Sequence, residues 1–130
     1  MRFVFDVNLS PKLVKGFRGF GEDVQHISEF ARSDIPDIEI FQLLKEQGGI
    51  FITNDYRITK EPQEAQALRN SGISVFFIDL TIHPDLWGWI TFFVTRWEAF
   101  KSKATETKQP FAFRVTMRSF DEISSILKRH

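Results

Sequence analysis

The sequence predicts an α/β fold in which a mostly parallel sheet lies between two layers of helices. Two observations lead to this prediction: short apolar runs recur through residues 1–80, and segments with helix caps and helical spacing separate them. Alternating strands and helices favour parallel pairing, because each helix returns the chain to the starting edge of the sheet. A chain of 130 residues fits one domain, so we expect residues 1–130 to form a single unit.

Four apolar runs rich in β-branched and aromatic residues predict the strands. They lie at residues 2–5, 23–27, 50–53 and 73–78. The run IFIT at residues 50–53 has no polar alternation, which is typical of a strand buried on both faces. Aspartates follow two of these runs, Asp6 after the first and Asp55 after the third. Both side chains are therefore expected near the carboxyl edge of the sheet.

Helix signals occupy the segments between the strands, at residues 11–20, 36–47 and 61–71. Ser10 and Pro11 supply a cap and a first-turn proline for the first helix, and Gly21 ends it. Asp37 lies in the first turn of the second helix, where a carboxylate complements the helix dipole. Asp34, just before this helix, is a candidate cap.

The pattern is weaker after residue 79. Residues 84–104 predict one long helix whose aromatic residues are expected to pack on the sheet: Trp87, Trp89, Phe92, Phe93, Trp97 and Phe100. We expect a polar loop over residues 101–109, an edge strand over residues 111–115 and a short helix over residues 120–128. The longest apolar stretch, at residues 86–94, is too short for a bilayer crossing, which needs about 20 residues.

Composition excludes several classes of function. The chain has no cysteine, so disulfide frameworks, thiolate metal sites and cysteine nucleophiles are excluded. The first residues show no signal peptide, and we expect a cytoplasmic protein. The formal net charge is zero, which argues against a broad basic surface. However, residues 1–55 are net acidic and residues 56–130 are net basic, which would suit a metal site flanked by phosphate-binding residues.

Three aspartates are expected to meet at the carboxyl edge of the sheet, where open parallel sheets bind ligands. Asp6 ends the first strand, Asp55 ends the third, and Asp37 begins the helix that leaves the second. If the third strand pairs with the first, Asp6 and Asp55 lie on strands roughly 5 Å apart. Clustered carboxylates destabilise a fold unless a cation neutralises them, so their convergence favours a metal site.

The aspartates differ in how easily a structural role explains them. The helix dipole accounts for Asp37, whereas Ser10 already fills the capping role near Asp6. A turn beginning at Asn54 is an alternative explanation for Asp55. We nevertheless take Asp6 and Asp55 as the firmer pair, because strand adjacency brings them together and no capping role accounts for either.

Oxygen ligands without nearby histidine or cysteine select Mg²⁺ or Mn²⁺. Such an ion activates water and stabilises the charge that develops on a phosphodiester. Asn8 is a candidate to ligate the ion or orient the water, and Arg57 and Lys60 are candidates to contact phosphate. The three histidines, His26, His83 and His130, lack a metal-ligand spacing and are interpreted as structural or incidental.

The chain resembles the compact PIN-like domains, in particular the VapC-type toxins of type II toxin–antitoxin systems. Several segments in this order carry the resemblance: DVNLSPKL, DVQH, PDIEIFQL, FITND and KEPQEAQALRNSG. It covers residues 1–80 well. It implies a three-layer α/β/α, Rossmann-like PIN-like fold, a Mg²⁺- or Mn²⁺-dependent endoribonuclease, an RNA substrate and a cognate antitoxin protein. Homodimerisation stays open, and no membrane association is implied.

The resemblance assigns roles to individual residues. Asp6 is similar to the family's acid on the first strand, Asp37 to the acid that opens the D-x-x-I helix, and Asp55 to the acid of the T-x-D turn. Larger PIN domains carry a further glutamate on an intervening helix, for which we identify no clear equivalent. A catalytically weak or inactive PIN-like module that binds RNA or a protein partner is therefore an alternative.

A phosphatase of the haloacid dehalogenase type is a second alternative, because DVNLS resembles the DxDx(T/S) motif of that class. It is less favoured, since Asn8 stands where that chemistry needs a general acid.

Overall fold

The computed structural model describes residues 1–128 and confirms the α/β architecture. Its strands are β1 (Phe3–Phe5), β2 (Val24–His26), β3 (Ile50–Thr53), β4 (Ser74–Ile78), β5 (Ala112–Val115) and β6 (Phe120–Glu122). Its α-helices are α1 (Pro11–Gly19), α2 (Asp37–Gln47), α3 (Pro62–Ser71) and α4 (Leu86–Glu106). The strands form one sheet in the order β2-β1-β3-β4-β5-β6, and every pair is parallel except β5 and β6.

Helices cover both faces of the sheet, which gives three layers. Helices α1 and α4 bury their apolar side chains on one face, and α2 and α3 bury theirs on the other. Trp97 of α4 lies at the centre of the first interface, with its ring centroid 4.3 Å from that of Phe17 and 4.8 Å from that of Phe3. Such aromatic contacts explain how a small domain buries so many phenylalanines. No helix within residues 1–128 is long and apolar enough to span a membrane.

A two-glycine turn joins α2 to β3. Gly48 and Gly49 both have positive φ, at 76° and 130°. A Cβ at Gly49 would also lie 3.0 Å from the Val4 side chain of β1. Glycine is required here because the backbone is left-handed and passes close to the neighbouring strand. This turn sets the start of β3 beside β1.

The direction of winding reverses between β1 and β3. The chain leaves β1 to form β2 on one side and then crosses to form β3 on the other. Phe5 is in register with Ile52, and the Asp6 amide donates a hydrogen bond of 2.9 Å to the Ile52 carbonyl. The pairing of the first and third strands, on which the expected approach of Asp6 to Asp55 depends, is thus present. In open α/β sheets this reversal leaves a crevice at the carboxyl edge.

The C-terminal part differs from the sequence prediction in three ways. Helix α4 continues to Glu106, so most of the loop predicted over residues 101–109 is wrong; Ala104 is buried and extends the apolar face of the helix. Strand β5 is internal, because β6 pairs with its other side. The helix predicted over residues 120–128 is also wrong, since this segment forms β6 and a short 3-10 helix, Ser124–Leu127.

Two smaller predictions also fail. Trp87 is 74% exposed, because it lies two residues from the buried Trp89 and so points about 200° around the helix. Asp34 does not cap α2, whose N-cap is Pro36 and has no side-chain hydrogen bond.

Candidate functional site

Asp6 lies buried at the carboxyl end of β1. Its side chain is on the α2 and α3 side of the sheet, because strand alternation places Val4 and Asp6 on the same face. One carboxylate oxygen accepts a 2.7 Å hydrogen bond from the Val7 amide, and the other accepts a 2.6 Å bond from the Thr53 hydroxyl. Burial raises the pKa of the Asp6 carboxyl, and these two hydrogen bonds oppose that shift.

Thr53 links Asp6 to Asp55. Its hydroxyl donates to Asp6 and accepts a 3.0 Å hydrogen bond from the Asp55 amide. Repulsion between the Asp6 and Asp55 carboxylates adds to the raised pKa of Asp6. The two aspartates therefore lie near each other, on neighbouring strands, as the sequence predicts.

The expectation that no capping role accounts for Asp55 is wrong. Asp55 is the N-cap of a short 3-10 helix, Tyr56–Thr59, and its carboxylate accepts a 3.2 Å bond from the Arg57 amide. The Arg57 side chain also pairs with this carboxylate, at 3.0 Å from Nε and 3.3 Å from Nη2. The two partners differ in solvent exposure: the Asp55 side chain is 15% exposed, and that of Arg57 is 88% exposed.

Asp37 opens α2 and faces the same acidic region. Its carboxyl has a pKa raised to about 6. Burial is the largest cause, and repulsion from Glu64 is the second. Repulsion from Asp6 and Asp55 follows, while the Arg57 guanidinium acts in the opposite direction. Three elements of the fold thus place all three predicted aspartates within electrostatic reach of one another.

Glu64 joins this group, although the sequence analysis identified no further glutamate. It lies in the first turn of α3 and is partly buried. Helices α2 and α3 pack against each other on one face of the sheet, so Glu64 becomes the strongest charged influence on Asp37. The sequence places Glu64 in the first turn of α3, but it carries no signal that α3 packs against α2.

Asn8 lies two residues after Asp6, in the turn that follows β1. It is exposed in the turn after β1 and lines a hollow of about 310 Å³ together with His83 and Trp89. Within residues 1–128 no hydrogen bond joins its side chain to any of the aspartates. The role of Asn8 as a ligand or water-orienting group stays a prediction.

The histidines fit the structural interpretation where the structure describes them. His26 is buried, with Nε2 2.6 Å from the Leu9 carbonyl and Nδ1 accepting from the Ser28 amide at 3.2 Å. It therefore fixes the loop that follows Asp6. His83 lies beside the Trp89 ring. His130 lies outside the described residues.

The oxygen donors of this group are of the type that binds a hard divalent cation. Their side chains are not arranged around a single ion position in the described part of the chain. The group supplies carboxylates, and the amide oxygen of Asn54 is buried without a hydrogen-bond partner in the described part of the chain. Yet within residues 1–128 no three histidine, cysteine, aspartate or glutamate side chains are arranged to hold one ion. The Asp55 carboxylate already accepts hydrogen bonds from the Arg57 side chain, which would compete with an ion for its oxygens.

Comparison with known proteins gives one match. A family model described as a PIN like domain matches residues 1–80, which hold Asp6, Asp37, Asp55 and Glu64. No curated protein and no solved structure gives a significant match.

Proposed function

The chain belongs to the PIN-like domain family, whose members are generally nucleases, and on that premise we propose that it is a metal-dependent endoribonuclease. The convergence of Asp6, Asp37 and Asp55 at the reversal of strand order carries this proposal. The pKa values of Asp6 and Asp37 are raised, because the fold holds these carboxyl groups where their ionised forms are disfavoured. Such groups concentrate at functional sites.

The residues proposed to hold Mg²⁺ or Mn²⁺ are Asp6, Asp37 and Asp55, with Glu64 beside them. The ion would lower the pKa of an attacking water and stabilise the charge that develops on the phosphodiester. Asp6 is held in place by Thr53 and by the Val7 amide. Carboxyl groups that repel one another bind cations more strongly than isolated ones, because a cation removes the repulsion.

We further propose that the protein is a VapC-type toxin of a type II toxin–antitoxin system. The ordered motifs of residues 1–80 support this role, together with the family match over the same residues. The proposal includes a cytoplasmic location, a single domain and a cognate antitoxin partner. It predicts that expression without that partner arrests growth of a bacterial host, and that the Asp6→Asn variant does not.

A binding module without turnover is the second candidate function. The observation that favours it is the Asp55–Arg57 pair, because a guanidinium already neutralises one of the proposed ligands. Such a module would bind RNA and leave it intact. The family match favours either candidate over the phosphatase interpretation.

RNA cleavage by purified protein tests these candidates. The wild type is incubated with an end-labelled single-stranded RNA in Mg²⁺, in Mn²⁺ and in EDTA, and products are separated on a denaturing gel. We expect cleavage with either metal and none with EDTA. Asp6→Asn and Asp37→Asn should each reduce the rate by about a hundredfold or more, since each removes a charge from the proposed metal site.

Asp34→Asn is the matched control, because it makes the same chemical change at an exposed carboxylate near Asp37. It should cleave like the wild type. Intact RNA under every metal condition, with RNA binding retained, would replace the nuclease by the binding module. Cleavage by Asp6→Asn at the wild-type rate would remove the proposed site. Release of phosphate from a small phosphomonoester would instead support the phosphatase.

A further inference from the structure

We propose that a basic pocket beside the acids binds the phosphate backbone of single-stranded RNA next to the cleavage site. The basic pocket is lined by Tyr56, Arg57, Lys60, Asp79 and Arg114 and has a volume of about 530 Å³. This proposal rests on the proposed nuclease function, because the basic pocket would hold the part of the substrate strand next to the cleaved bond. Sequence reasoning identified two of its cations, Arg57 and Lys60; the fold adds the third.

The basic pocket continues the edge of the sheet on which the acids lie. Tyr56 directly follows Asp55 at the end of β3, Asp79 follows β4, and Arg114 lies in β5 in register with Phe77. Neighbouring strands are about 4.8 Å apart, so the edge from β1 to β5 measures about 14 Å. This length accommodates more than one phosphate of an extended strand. The acids and the basic pocket thus lie along the same edge of the sheet.

The charge of the basic pocket suits a polyanion. The lining holds three cations and one carboxylate, that of Asp79, which accepts a 2.8 Å bond from Arg114 Nε. Outside the lining, Asp55 pairs with Arg57, and Asp121 lies 3.8 Å from Arg114 Nη1. Lys60 is exposed and forms no ion pair within residues 1–128. An arginine held at Nε by a carboxylate keeps other N–H groups for a phosphate oxygen. The basic pocket therefore offers the Lys60 ammonium and spare arginine N–H groups to a phosphate.

Tyr56 supplies an aromatic wall. Its ring packs edge-on against Phe77, with centroids 5.6 Å apart, so its orientation is fixed by the core. Lys60 Nζ lies 6.0 Å and Arg114 Cζ 5.9 Å from the ring centroid, which places both cations around the same ring. Single-strand binding sites combine cations for the backbone with aromatic rings for the bases. A site for a small inorganic anion would need no such ring.

Binding without cleavage tests this proposal. Fluorescence anisotropy measures the affinity of a labelled single-stranded RNA of about 12 nucleotides, within the usual footprint of single-strand sites, in EDTA at several salt concentrations. Lys60→Ala should weaken binding by about fivefold and reduce the slope of log K against log salt by about 0.7. Tyr56→Leu should weaken binding by about tenfold if a base stacks on the ring.

Lys45→Ala is the matched control, because this exposed lysine in the last turn of α2 lies at the opposite edge of the sheet. It should bind RNA within about twofold of the wild type. Arg114→Gln extends the test to β5, and its melting temperature is measured alongside, since Arg114 also pairs with Asp79. A correctly folded Arg114→Gln protein should bind more weakly and show a smaller salt slope.

Wild-type affinity in the Lys60→Ala and Tyr56→Leu variants would overturn the proposal, as would absence of RNA binding by the wild type. Equal competition by an acidic peptide of the same charge would also overturn it, in favour of a surface for an acidic protein partner. Failure of the nuclease proposal is a separate result, because it is measured as lack of cleavage in metal and not as affinity in EDTA.

Discussion

Removing the charge of Asp37 should stabilise the folded protein at neutral pH when divalent metal is chelated. Its carboxyl has a pKa raised to about 6 from an ordinary value of 3.8, chiefly because of burial and then because of repulsion from Glu64. A folded state that raises the pKa of an acid disfavours its ionised form. Asp37→Asn keeps the shape of the side chain and removes that ionised form, so it removes the penalty.

The expected gain can be calculated from the shift. A change from 3.8 to about 6 corresponds to about 3 kcal/mol at 1.36 kcal/mol per pKa unit. The carboxyl is only half-buried, so solvent screening reduces this figure by about half. Loss of the favourable interaction with the N-terminus of α2 subtracts about 0.5 kcal/mol more. The net gain is about 1 kcal/mol, or about 4 °C in melting temperature for a chain of this length.

The gain depends on pH in a defined direction. Because the folded pKa of Asp37 lies above the unfolded value, its protonated form contributes stability that is complete below the unfolded pKa of 3.8. That contribution is lost as the pH rises through about 6. The wild type and Asp37→Asn should therefore have similar stabilities near pH 4 and differ by about 4 °C above pH 7.

Thermal unfolding followed by circular dichroism measures this difference, in EDTA at about pH 4.5 and about pH 7.5. Asp34→Asn is the control and should show no such pH-dependent gain, since its carboxylate is exposed. Saturating Mg²⁺ should reverse the order of stability, because the wild type binds the ion more tightly than the variant. A destabilised Asp37→Asn protein at the higher pH, or a difference that does not change with pH, would refute the reasoning.

Three other substitutions test the surroundings of the site. Thr53→Val leaves Asp6 without its hydroxyl donor, so it should raise the pKa of Asp6 further. It should also lower the free energy of unfolding by about 1–3 kcal/mol, measured by urea titration at neutral pH. An unchanged urea midpoint would contradict this. Glu64→Gln should lower the pKa of Asp37, because Glu64 is the largest charged contributor to its shift, and an NMR titration of the carboxyl carbon measures the change. Phe93→Ala should lower the free energy of unfolding by about 3–5 kcal/mol, because it leaves a cavity in the aromatic core; the urea midpoint measures the loss. A loss below about 1 kcal/mol would mean that neighbouring side chains fill the cavity.

The sequence was sufficient to predict the central sheet and two of its acids. Continuous apolar runs at residues 50–53 and 73–78 have few alternatives to buried parallel strands, and the short crossover permits β3 to pair with β1. Asp6 and Asp55 then follow from strand ends alone. The proximity of these two side chains depends on the path of the backbone, which hydrophobic periodicity and turn residues predict well.

What could not be predicted depends on contacts between distant segments. Glu64 reaches Asp37 only because α2 and α3 pack together, and neither helix carries a local signal of that contact. Arg114 enters the basic pocket because β5 pairs with β4, after a helix of 21 residues. Strand β6 has three residues and little burial, so its partner β5 determines its conformation more than its own sequence does.

Arg57 is the residue at which the acidic site and the basic pocket meet. It pairs with Asp55 and also lines the basic pocket. Its side chain is 88% exposed, and an ion pair with one such exposed partner contributes little stability, because water solvates the freed guanidinium well. Asp55 loses little if a divalent cation replaces Arg57, since the cation carries more charge. Arg57 would then be free to contact a phosphate. The Asp55–Arg57 pair is therefore compatible with both proposed ligands, and its exchange would make their binding mutually favourable.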